Sequence, residues 1–177
     1  NRVFRSMRAF LQDNLSPGDQ VMLVSYDRSL HVRREFTTDT RQISTAMFEL
    51  ETVSGHGVHH DSDRRDILQA ITEAEAVGQV YGRARTYVEN RFNDLAFTIT
   101  HLHDFVTSLA GLQGRKAILH VSDGVPMRAG EEVFARLQEK FGNDVSMLEA
   151  FEFDASRRWQ ALAAQANSNR VTMYTLD

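Results

Sequence analysis

The sequence predicts an α/β fold built on a doubly wound, mostly parallel sheet, with a long helical hairpin inserted between its strands. Two observations carry this. Apolar runs at 20–26, 114–124 and 171–176 alternate with segments of helical spacing, the order that a sheet covered by helices produces. Among them, Ala117, Ile118, Leu119 and Val121 form a near-continuous apolar run, which a parallel strand covered on both faces requires.

The elements follow in order. Val3, Met7, Phe10 and Leu11 recur at helical spacing, and Ser16-Pro17-Gly18-Asp19 stops that helix. Gln20 to Tyr26 reads as a buried strand, Asp27-Arg28-Ser29 as a tight turn, and Leu30 to Phe36 as an alternating edge strand, so the two predict a hairpin. Thr38-Asp39-Thr40 offers capping oxygens to a helix carrying Ile43, Ala46, Met47 and Leu50. A loop rich in Gly and His spans 53–62.

The middle of the chain is helical. Ile67, Leu68, Ile71 and Ala74 mark an amphipathic helix from about Asp63, with a break near Gly78 and Gly82. Val88, Phe92, Leu95, Ile99, Leu102, Val106 and Leu109 then step by four and three, the strongest periodicity in the sequence. A helix over 81–110 is about 45 Å long at roughly 1.5 Å per residue. Its stripe suits either a hairpin with the preceding helix or a seam for a second copy, and Phe97 and Phe105 lie off it. Glu131 to Phe141 predicts a helix ended by Gly142-Asn143, and an acidic connection holds Glu149, Glu152 and Asp154. Trp159, Leu162, Ala163 and Ala166 belong to a last helix before a strand at 171–176.

Composition excludes several classes. The chain of 177 residues is 42% hydrophobic and 25% charged, enough for one domain spanning 1–177. Twenty basic against 24 acidic side chains leave a net charge of −4, against the basic excess of a nucleic-acid binder. There is no cysteine, so disulfides and thiolate metal sites are excluded. No apolar run approaches the roughly 20 residues of a membrane span. The chain opens without Met inside a helical pattern, which predicts a piece of a longer protein whose first strand lies upstream. Phosphate-cradling Gly loops, nucleophile elbows and cysteine nucleophiles are absent from the sequence.

Two places invite chemistry. Asp123 ends the apolar run of 117–121, and open α/β sheets bind ligands beyond the carboxyl ends of their strands; Asp before Gly124 and Pro126 is equally a turn former. His56, His59, His60, Asp61 and Asp63 gather donors suited to Zn²⁺, Mn²⁺ or Fe²⁺ within eight residues. Adjacent His59 and His60 tend to point to different sides, and Asp61 and Asp63 are ordinary capping residues.

The succession of a helix, Gly18 to Tyr26, Leu30 to Asp39, Gly114 to Gly124, and Ala166 through Val171 to Asp177 resembles a von Willebrand factor A domain, and more narrowly the VWFA-related type of acidobacterial proteins. The resemblance covers nearly the whole chain, with 63–113 as a helical insertion. It implies a bacterial, extracytoplasmic protein-binding module with a metal-ion-dependent adhesion site for Mg²⁺ or Mn²⁺. Such a site combines an Asp-x-Ser-x-Ser loop, a Thr and a later Asp; Mg²⁺ takes hard oxygens and can leave a position open to a partner's carboxylate. Asp123 matches the last element. The Asp-x-Ser-x-Ser loop has no counterpart and 53–62 holds no Thr, which predicts a degenerate site.

The resulting expectation is a non-enzymatic protein-interaction module whose contact residues include Asp123, His56, His59, His60, Phe97 and Phe105. The competing readings are a metal-dependent hydrolase using His59, His60, Asp61 and Asp123, and a homodimer built on the stripe from Val88 to Leu109.

Overall fold

The computed structural model describes residues 2–53, 57–122, 124, 126–142, 145 and 147–176, with the backbone alone at 53, 57–61 and 147. The chain divides into two compact units, Asn1–Asp61 and Ser62–Asp177.

The first unit runs α1 (Arg2–Asn14), β1 (Val21–Tyr26), β2 (Leu30–Thr37) and α2 (Thr40–Val53). Phe4, Met7 and Leu11 of α1 pack on a core of Leu23, Ile43, Ala46 and Met47. Burying a side chain such as Ile43 contributes about 1.5–3 kcal/mol. The helix stops where Asp19 closes the turn, its N–H donating to Ser16 O and its carboxylate accepting the Ser16 N–H. β1 and β2 pair antiparallel, Tyr26 opposite Leu30, across the predicted turn. Asp39 caps α2 as its position suggests, accepting the Arg41 N–H at 3.0 Å.

The second unit contains most of α3 (Gly57–Glu73), a 3₁₀ turn at Val77–Gln79, and the 28-residue α4 (Tyr81–Ser108). After α4 come β3 (Lys116–Val121), α5 (Glu131–Phe141), a 3₁₀ segment (Met147–Phe153), α6 (Ser156–Ser168) and β4 (Val171–Leu176). The stripe of α4 is buried within this unit: Val88 and Val106 are fully inaccessible, and Leu95, Ile99, Leu102 and Leu109 are buried too. Its most extensive partner is α6, with further contact to α5 and to the 3₁₀ segment. Phe153 joins these layers, stacked on Phe134 and edge-on to Phe92, each at 5.9 Å.

The doubly wound, mostly parallel sheet is not formed. The chain is 62% helical, and its strands make two separate two-stranded sheets, one antiparallel (β1–β2) and one parallel (β3–β4). Chain order alternates much as predicted, but alternation does not choose edge partners. β1 is satisfied by its neighbour across a tight turn, β3 by β4 after the α5–α6 crossover, and among the described residues neither sheet recruits a third strand. The anticipated helical hairpin insertion is corrected with it, since α4 packs chiefly on α6. The expected loop at 53–62 is also shorter: helical backbone starts at Gly57, because extending a formed helix adds a hydrogen bond for each residue fixed.

Candidate functional site

The parallel ribbon β3–β4 carries an exposed apolar face in the second unit. Its register pairs Lys116 with Val171, Ile118 with Met173, Leu119 with Tyr174 and Val121 with Leu176. Side chains alternate between faces, so Ile118 and Val171 look inward, where both are buried and α6 packs on β4. The opposite face carries Leu119, Tyr174 and Leu176, exposed by 36%, 57% and 40%. The apolar run predicts helices over both faces of this strand; the structure covers one. A run of apolar residues reads the same in either case, since periodicity does not report how many layers lie above it.

Beyond β3, the Ser122 N–H donates to Leu176 O at 3.2 Å, carrying the pairing one residue past the strand. The Ser122 hydroxyl is buried and has no hydrogen-bond partner among the described residues. The chain then folds back along the start of α6. Met127 O accepts the Ala155 N–H at 2.8 Å, and Phe153 O accepts the Ala129 N–H at 3.1 Å. Arg128 bridges Asp154 (3.2 Å) and Glu131 (3.0 Å) and lies over the Phe151 ring. Hydrogen bonds from the Ser156 hydroxyl and N–H, then the Arg128 guanidinium, hold the Asp154 carboxyl below the usual carboxylate range.

The sequence-predicted site residues are not gathered in one place. Asp123 and His56 lie outside the described residues, as do the side chains of His59, His60 and Asp61, whose backbones belong to α3. The Mg²⁺ or Mn²⁺ expectation, which rests on Asp123, therefore lies outside them as well. Among the described residues there is no group of three or more His, Asp or Glu placed to hold a metal. Phe97 is 60% exposed on α4, whereas Phe105 is half-buried. They are eight residues apart, about 12 Å along the axis, so they do not form one patch. None of the described helices is long and apolar enough to cross a membrane.

One cluster escaped sequence reasoning. Arg85 on α4 meets Glu89 (3.0 Å), Glu149 (3.0 Å) and Glu152 (2.9 Å), lies over the Phe153 ring, and shares Glu149 with the Tyr81 hydroxyl. The acids were conspicuous in the sequence; their partner, 64 residues earlier, carried no signal. Every charged member reaches solvent, and the cluster acts as a clasp between α4 and the 3₁₀ segment.

No family model, curated protein or solved structure matches this chain.

Proposed function

We propose that the chain is a non-enzymatic protein-interaction module that accepts an extended, apolar segment of another protein along the β3–β4 ribbon. The observation that carries this reading is the exposed Leu119–Tyr174 pair on a parallel sheet that has two strands among the described residues. Parallel sheets are normally covered on both faces, and a lone two-stranded sheet is marginal by itself. Among the described residues its outer edges pair with no further strand, which leaves backbone N–H and C=O groups as a template for strand addition. Edges that must stay solitary are usually guarded by charge or Pro. Across β3 and β4 the sole Asp, Glu, Lys or Arg is Lys116, and Pro is absent. Backbone pairing along an edge supplies affinity, and the Leu119, Tyr174 and Leu176 side chains select an incoming apolar residue at alternate positions.

The test is selection of peptides from a random displayed library on the whole chain, with Leu119→Lys as the counter-target. Enriched peptides should alternate apolar residues, slow hydrogen exchange in β3 or β4, and lose binding to the variant. Peptides that bind both proteins equally, or protect other elements, would remove the support for this reading.

A further inference from the structure

At the amino-terminal end of β3–β4, the turns leading into the two strands enclose an open pocket of about 350 Å³. We infer that this pocket binds a phosphoryl dianion through Lys116 and Arg170. Gln113 and Ser168 complete its polar wall, and no acid contributes to its lining.

The argument is an excess of donors over acceptors. Lys116 Nζ donates to Leu112 O at 3.0 Å, which uses one of its three protons. Among the described residues no carboxylate pairs with Lys116 or Arg170, so the five guanidinium donors of Arg170 have no anionic acceptor. The carboxyl ends of α4 and α6 open toward the same turns and attract cations, but each supplies only about −0.5 of a charge. Two full positive charges exceed the two helix ends by about one unit. Arg170 also holds φ +55 and Gly114 φ +87; the left-handed turn at Arg170, which ordinarily favours Gly or Asn, is kept by a residue bearing charge. A tetrahedral oxyanion, with several acceptor oxygens and two negative charges, complements this set.

The probe is inorganic phosphate, titrated into the whole chain and followed by amide shifts in ¹H–¹⁵N spectra, with Arg170→Asn and Lys116→Gln alongside. Arg170→Asn removes the charge with a residue that tolerates the left-handed turn, so the fold is preserved. Expected are saturating shifts confined to residues 112–116 and 168–171, weakened about tenfold or more in each variant, which at 1.4 kcal/mol per decade is one charged contact. A parallel arm with phosphatidic-acid vesicles separates a lipid headgroup from a free phosphate; loss of either binding in Arg170→Asn supports the site. Shifts that never saturate, or that persist unchanged in both variants, with no vesicle binding, would overturn it.

Discussion

Gly130 and Val88 occupy space that only one side chain can fill: a Cβ on Gly130 would lie 2.4 Å from Val88 Cγ2. Gly130 also holds φ +64 as it enters α5, while Val88 is fully buried on α4. The close approach of these helices therefore depends on a missing methyl group. Gly130→Ala should cost roughly 2–4 kcal/mol, from left-handed strain and overpacking together, read as a lower urea midpoint at unchanged slope. Adding Val88→Ala should recover part of that loss, and a non-zero coupling in the double-mutant cycle checks the contact.

The α4 stripe is spent inside the fold. Ile99, 4% exposed, has no room for a charge, so Ile99→Asp should destabilise the protein by about 3 kcal/mol or more. Denaturant titration measures the loss, and light scattering on the same sample distinguishes it from dissociation of a dimer. An unchanged midpoint with a halved mass would mean that the stripe faces a second copy.

Arg85 clasps Glu149 and Glu152 to α4, but its side chain is 36% exposed and solvent screens the charges. Arg85→Ala is therefore expected to cause only a small loss of stability. The difference from wild type should shrink as ionic strength rises toward about 1 M, where screening acts within a few ångströms. Thermal melts at low and high salt test this.

Asp154 and Asp39 both sit below the usual carboxylate range. Ser156 is the main cause for Asp154, with Arg128 secondary, and the Arg41 N–H is the main cause for Asp39. A depressed folded-state pKa contributes stability that is complete above the unfolded value of about 3.9, and that is lost as pH falls through the lower folded value. Stability should thus fall on acidification below about pH 5. Asp154→Asn should flatten part of that acid limb while leaving neutral-pH stability closer to wild type than Asp154→Ala does, as measured by urea titrations across pH.

Leu119 and Tyr174 make the complementary prediction. Both are exposed, so Leu119→Lys should change stability by no more than about 0.5 kcal/mol. A large loss in thermal melts would place Leu119 in the core and take away the free face.

Much of the local structure was legible. The spacing of Val3, Met7 and Leu11, the stop at Ser16 to Asp19, the Asp27–Ser29 turn and the reach of the helix from Tyr81 all follow from short-range physics: periodicity, turn chemistry and capping. These forces act within a few residues, and the sequence alone determined them. What lay across space was decided by tertiary structure. The run at 117–121 declares a strand but not its covering layers, so one side of it stands open at Leu119. The α4 stripe declares an apolar face but not that α6 would fill it. The acids Glu149 and Glu152 wait for Arg85, brought to them by the packing of distant helices. Strand partners, helix partners and ion pairs are chosen by competition among surfaces far apart in the chain, a competition that only the folded molecule resolves.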